Sequence, residues 1–264
     1  PHIEFYPSEY VNSPVNIGRN HNMVSINSAL EVDLTGQVVA DSIGYHFYSG
    51  IGGQVDFIRG AGISKGGKPI IALPSTAKGG TVSRIVAHLT EGSGVVTSRS
   101  HVHYVVTEYG IADLRGKPDN EVIKSLLAIC DSRFQNELRE RAIDAGKLEK
   151  SYRIPDAFSR NFAERLSQTY TYFRARGLFS AFPFGSDFSA TERNLVKALS
   201  WLKTKARPRT LLELGRKTLL LEHDPADYPL ELERMGLANP QHWREHLYQK
   251  LLVVALSATR EPGQ

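Results

Sequence analysis

Ser49-Gly-Ile-Gly-Gly-Gln-Val-Asp-Phe57 is the stretch on which the reading of this chain turns. Three glycines in four positions, Gly50, Gly52 and Gly53, leave a short piece of backbone without Cβ atoms. Such a piece can adopt positive φ and bring its N–H groups close to a ligand. Those N–H groups are fixed dipoles, suited to a phosphate or to a developing oxyanion. A glycine-rich turn is also an ordinary link between strand and helix, so a structural role stands beside the binding role. The flanking sequence sets the fold class.

Upstream, residues 23–34 and 37–43 read as strands joined by a turn at Thr35-Gly36. Downstream, residues 68–73 form a short apolar run stopped by Pro74, as a buried strand would be. Residues 81–89 carry Val82, Ile85, Val86 and Leu89 at helical spacing, and residues 95–97 and 104–107 are β-branched and read as strands. Residues 121–130 and 134–145 read as amphipathic helices, the second closed by Gly146. Strands alternating with helices predict an α/β sheet. Beyond about residue 148 the pattern turns mainly helical, with helices expected at 157–176, 190–205, 209–221 and 240–258. Asp187 and Ser189 are candidate caps for the second of these. Phe179, Phe182, Phe184 and Phe188 fall in the intervening turn-like stretch, where they read as anchors pinning a loop to a neighbouring sheet. The expected organisation is an α/β domain over residues 1–148 and a helical extension over 149–264.

Composition agrees with two parts. Of 22 glycines, 16 lie in residues 1–118, where nine Lys/Arg balance nine Asp/Glu. The remaining residues hold 23 Lys/Arg and 19 Asp/Glu, so the net charge of +4 arises there. Opposite charges alternate along the helical segments instead of clustering with aromatics, which argues against a nucleic-acid partner. No apolar run is long enough to span a membrane. The single cysteine, Cys130, lies in an apolar run and reads as a buried structural thiol, compatible with a reducing cytoplasm.

Several candidate motifs fall away. Lys65-Gly66-Gly67-Lys68-Pro69 lacks phosphate-loop spacing, and Pro69 removes an amide donor, so it reads as a hairpin turn. His101 and His103 would share one face of a strand, but zinc needs further ligands and none stands at a recognisable spacing, so no metal is expected. Ser75-Thr-Ala-Lys-Gly-Gly-Thr81 places a lysine and two glycines between a strand and a helix start, where a phosphate could be met. Among the acids, Glu31 suits a structural hydrogen bond and Asp56 a brace for the glycine loop. Glu108 has the best positional claim, because ligands bind at strand ends in open α/β sheets.

The segments Phe5–Asn12, Asn22–Leu34, Ser49–Phe57, Pro74–Gly80 and Tyr104–Gly116, taken in order, resemble the acetyl-CoA hydrolase/transferase family. The closest likeness is to its 4-hydroxybutyrate and butyrate CoA-transferase branch. The resemblance implies a three-layer open α/β sheet and ping-pong exchange of coenzyme A between an acyl-CoA and a small carboxylate. In that scheme a glutamate attacks the thioester, and a glutamyl-CoA thioester follows. By motif match Gly53, with Gly52 beside it, is the oxyanion- and CoA-contacting position. Ser49 and Lys78 match positions near the CoA, and Asn12 and Glu108 match polar residues of the active site. The family's nucleophile lies upstream of the Tyr-Pro-x-x-Tyr-Val-Asn motif, which starts here at Tyr6, so neither Glu31 nor Glu108 is its equivalent. The expectation is therefore the C-terminal part of a longer enzyme, inactive alone, whose partner is the N-terminal part. A homo-oligomer is left open. The alternatives are an acyl-CoA hydrolase and a non-catalytic CoA-binding or assembly module.

Overall fold

The structure is a computed structural model that describes residues 3–205 and 224–260. The helix expected at 209–221 lies outside the described residues. The chain divides into two compact units, Pro1–Leu178 and Phe179–Gln264.

The first unit opens with two short helices, α1 (Ser8–Val11) and α2 (Pro14–Gly18). Strands β1 (Val24–Ser28), β2 (Glu31–Asp33), β3 (Val38–Val39), β4 (Ser42–Ile43) and β5 (His46–Phe47) follow, then helix α3 (Gln54–Ile63). After β6 (Lys68–Ala72) come three two-residue strands, β7 (Thr76–Ala77), β8 (Val82–Ser83) and β9 (Ile85–Val86). Strands β10 (Tyr104–Thr107) and β11 (Gly110–Asp113) lead to helices α4 (Asp119–Ala128), α5 (Ser132–Asp144) and α6 (Ala163–Arg174).

The main sheet has the order β1-β6-β10-β11, with β1, β6 and β10 parallel and β11 returning antiparallel to β10. A second sheet, β3-β2-β9, pairs β2 antiparallel to β3 and parallel to β9. One face of the main sheet is dry: Ser25, Pro69, Ile71, Val105, Thr107 and Ala112 are all buried. Ile58 of α3 and Ile123, Leu126 and Leu127 of α4 join Ile71 and Val105 in one core. Each such fully buried aliphatic side chain contributes roughly 1.5–3 kcal/mol. Proline is tolerated in β6 at its second residue, and Pro74 follows the strand's end.

The expected mixed α/β class is therefore present. The turn at Thr35-Gly36 joins β2 to β3, and the stretch expected as one strand over 23–34 is two, belonging to different sheets. Residues 81–89 are not helical. Val82 pairs with Ala77, Ile85 with Val32 and Val86 with Asp33, and Ile85 is fully buried. The apolar spacing suited a helix, but β-branched residues offered a ladder by a neighbouring strand, β7 for Val82 and β2 for Ile85 and Val86, take the extended state. Thr97 makes a single bridge to Val38 in place of a strand. The turn at residues 65–67 joins α3 to β6 and is not a hairpin.

The second unit contains α7 (Ala190–Lys205), α8 (Pro229–Arg234) and α9 (Trp243–Thr259). Leu195 and Ala198 of α7 pack with Leu232 of α8 and with Leu252, Val253 and Leu256 of α9. Ser189 caps α7: its Oγ accepts from Glu192 N at 3.2 Å, and Glu192 Oε2 accepts from Ser189 N at 2.9 Å. This reciprocal pair satisfies two otherwise orphaned donors. Phe184 lies wholly in solvent, and Phe182 stacks edge-on against Phe188. Among the described residues no helix is long and apolar enough to cross a membrane.

Candidate active site

The glycine loop opens helix α3. Gly52 sits at φ 63°, a left-handed conformation that favours glycine, and Gly53 is the N-cap residue. With no side chain, Gly53 supplies no capping acceptor, so the first amides of the helix are left for another partner. Gln54 fixes the helix end in place. Its buried side chain donates from Nε2 to Ser28 O at 2.7 Å, while its Oε1 accepts from Thr97 Oγ1 at 3.0 Å. Ser28 is the last residue of β1, so α3 begins at the C-terminal edge of the parallel strands.

Asn12 arrives at the same place by packing. Helix α2 lies so close to α3 that a Cβ on Gly60 would come within 2.5 Å of Ile17. That approach carries the turn before α2 to the loop, where Asn12 Nδ2 lies 2.6 Å from the position of a Cβ on Gly53. Phe57 Cδ2 closes the other side at 3.4 Å. Two bare α-carbons, one for the helix pair and one for the side chain, thus bring Asn12 to the amide end of α3.

Glu108 stands at the same sheet edge, directly after β10, and its carboxylate is already engaged. Oε2 accepts from Ser75 N at 2.8 Å and Oε1 from Ser75 Oγ at 2.7 Å, which ties the end of β10 to the segment after β6. Next to it, Tyr109 Oη donates to Asp131 Oδ2 at 3.2 Å, and Arg133 grips the same carboxylate through Nε and Nη2, each at 2.8 Å. Burial works against ionisation of Asp131, but the Arg133 bonds prevail and hold its carboxyl below the usual range. Burial, and then the Asp131 charge, push the Tyr109 phenol upward. Ser49 and Lys78 lie on exposed loops. Ser49 Oγ donates to Gly50 O at 3.0 Å, and Lys78, at the head of the β7–β8 hairpin, has φ 48°, unusual for a residue with a side chain. No hydrogen bond joins either residue to the Gly53–Asn12 or Glu108–Ser75 pairs.

Glu31 is structural: its Oε2 accepts from Thr90 N at 3.0 Å and its Oε1 from Thr90 Oγ1 at 2.8 Å. Cys130 is fully buried, and burial pushes its thiol up to about 12. Among the described residues no three His, Cys, Asp or Glu side chains group so as to hold a metal ion. Sequence reading passed over Gln54 and Asp131. Gln54 follows the glycines directly, and Asp131 occupies a recognisable helix N-cap position before α5, but neither motif reveals its partner.

The site is thus a helix amide terminus and a set of polar side chains at the carboxyl edge of parallel strands, the usual place for ligands in such sheets. Residues 1–142 match the acetyl-CoA hydrolase/transferase C-terminal domain, and the chain belongs to that family of enzymes. Over 138 residues it is 55% identical to the 4-hydroxybutyrate coenzyme A transferase of Clostridium kluyveri, covering 52% of this chain and 32% of that protein. Over 142 residues it is 52% identical to the succinyl-CoA:cyclohexane-1-carboxylate CoA transferase of Geobacter metallireducens, covering 54% and 32%. Among solved structures, RipA from Yersinia pestis superposes with a TM-score of 0.51 at 43% identity, over 53% of this chain and 32% of that one. The match spans about a third of the length of these curated relatives.

Proposed function

We propose that this chain is the oxyanion-binding, C-terminal part of a CoA transferase that exchanges coenzyme A between a short-chain acyl-CoA and a small carboxylate. The observation that carries this reading is the uncapped amide terminus of α3 at Gly53 with Asn12 against it. Each acyl transfer places negative charge on a carbonyl oxygen, and preset N–H donors stabilise it. In the proposed cycle a glutamate carboxylate from polypeptide outside residues 1–264 attacks the thioester carbon. The C–S bond breaks, giving a mixed anhydride and CoA thiolate. The thiolate then attacks the glutamyl carbonyl and expels the first carboxylate, leaving a glutamyl-CoA thioester. An acceptor carboxylate reverses both steps.

In this assignment Gly52 and Gly53 present the amides, Asn12 orients the carbonyl, and Ser49 and Lys78 line the path of the CoA. Glu108, held by Ser75, braces the strand ends beneath them. Residues 1–148 supply one part of a three-layer α/β domain working in the cytoplasm, and the described residues beyond 148 are a mainly helical extension. The family's name also covers hydrolysis, in which water resolves the glutamyl thioester. Incubating the complete enzyme with acetyl-CoA and butyrate separates the two: new butyryl-CoA supports transfer, whereas free CoA without it supports hydrolysis. If neither forms and CoA still binds, the chain belongs to a binding module.

A further inference from the structure

The family match ends at residue 142, and the segment that follows returns to the candidate site. Hydrogen bonds fix the approach to α6. Asn161 N donates to Ser132 Oγ at 2.8 Å, and Asn161 Nδ2 donates to Ala128 O at 2.8 Å and to Cys130 O at 2.9 Å. Gln135 Nε2 donates to Phe158 O at 2.8 Å. Helix α6 is thereby set against the end of β10. A cavity of about 190 Å³ lies between them, lined by Glu108 and Tyr109 on one side and by Arg160, Phe162, Arg165 and Leu166 on the other. Both arginines are exposed, and among the described residues neither guanidinium group makes a hydrogen bond or an ion pair. The acids nearby are committed elsewhere: Glu108 to Ser75, Asp131 to Arg133 and Tyr109. Glu164, in the first turn of α6, interacts with the charge of Arg133. Phe162, the N-cap residue of α6, provides no capping acceptor, so the first amides of that helix add to the positive character of the cavity.

We propose that Arg160 and Arg165 bind the phosphate groups of coenzyme A, so that residues beyond the family domain complete the path that begins at Lys78. The inference rests on the CoA-transferase reading for the identity of its ligand. Ser28 ends β1 and Glu108 follows β10, two strand spacings apart, about 10 Å. The pantetheine arm of CoA is longer than this, so a thioester at Gly53 can carry its phosphates past Glu108 to α6. The Lys78 loop leads the same way: a Cβ on Gly80 would come within 2.9 Å of Arg133 Nη2. Exposure selects among the possible anions. A single carboxylate gains little from exposed arginines, where water competes and salt screens. The diphosphate and 3′-phosphate of CoA present several negative charges at once, and guanidinium forks match phosphate oxygens bidentately.

The test combines Arg160→Gln with Arg165→Gln in the complete enzyme. The pair should lower kcat/KM for acetyl-CoA about tenfold and leave kcat/KM for butyrate unchanged, as expected when binding energy held throughout the reaction is removed. Arg160→Lys with Arg165→Lys keeps the charge without the fork and should recover part of the loss. Neither guanidinium group is bonded within the fold, so the melting temperature should stay the same. The 3′-dephospho form of acetyl-CoA locates the contact. If the glutamine pair abolishes the preference for acetyl-CoA over this form, the arginines read the 3′-phosphate; if both thioesters weaken alike, they read the diphosphate. An unchanged kcat/KM for acetyl-CoA overturns the proposal, as does a loss confined to butyrate, which would make the cavity a carboxylate subsite. Calorimetric titration of the same proteins with free CoA separates this inference from the functional reading. CoA binding weakened about tenfold by the pair, in an enzyme that transfers nothing, supports the phosphate site and counts against transfer. CoA that does not bind, or that binds the glutamine pair equally well, refutes the phosphate site.

Discussion

Asn12 stands against the bare α-carbon of Gly53, its Nδ2 2.6 Å from the point where a Cβ would project. Any side chain at 53 must push Asn12 away from the amide end of α3. In the complete enzyme Gly53→Val is expected to lower kcat by about 10²–10³, the usual cost of losing one oxyanion donor. Steady-state kinetics with the acyl-CoA varied checks this, and an unchanged kcat would refute the role of Gly53.

Two glycines of α3 should answer oppositely to alanine. At Gly60 a Cβ meets buried Ile17 at 2.5 Å, whereas at Gly62 the nearest atom is His103 Cε1 at 3.4 Å, an ordinary contact. Helix propensity favours alanine by about 1 kcal/mol at either site, while overpacking a core costs about 1–3 kcal/mol. Gly62→Ala is expected to raise the urea midpoint of the chain slightly and Gly60→Ala to lower it. Equal shifts would contradict the close α2–α3 approach that delivers Asn12.

Glu31, although it lies within a conspicuous motif, spends both carboxylate oxygens on Thr90. Glu31→Ala removes both hydrogen bonds to Thr90, whose exposed amide and hydroxyl can turn to water, and should destabilise the fold by about 0.5–1.5 kcal/mol. Glu31→Gln keeps one acceptor oxygen and should cost less. In the complete enzyme Glu31→Gln is expected to retain transfer activity, and its abolition with folding intact would assign Glu31 to the reaction.

Acid should loosen the corner around Tyr109 and Asp131. The folded carboxyl of Asp131 lies below its unfolded value, which is about 3.9. Its contribution is therefore complete above that value and is lost as pH falls through the lower folded one. Urea midpoints measured from pH 5 to pH 2.5 should fall less steeply for Asp131→Asn than for the unsubstituted chain. Parallel slopes would show that the Arg133 grip adds nothing.

Cys130 should be inert while the chain is folded. With its thiol pushed up to about 12, against an ordinary 8.5, the thiolate fraction at pH 8 falls by roughly three orders of magnitude. Ellman's reagent should label it only at the rate of unfolding, and rapid labelling without denaturant would contradict its burial.

What the sequence determined by itself is local. Pro74 stops β6, Thr35-Gly36 turns β2 into β3, Ser189 with Glu192 starts α7, and Gly50–Gly53 announces a strand-to-helix loop, each through residues a few positions apart. Five ordered segments also carried the family. The tertiary structure decided whatever depends on a partner far along the chain. Ile85 and Val86 are extended because Val32 and Asp33 offer a ladder, not because of their own spacing. Glu108 is committed to Ser75, 33 residues away, by the adjacency of β6 and β10. Asn12 reaches Gly53 only because Ile17 settles into the notch at Gly60. Short-range steric and hydrogen-bonding preferences are written in neighbouring residues, whereas burial and strand pairing depend on which distant surfaces exclude water together.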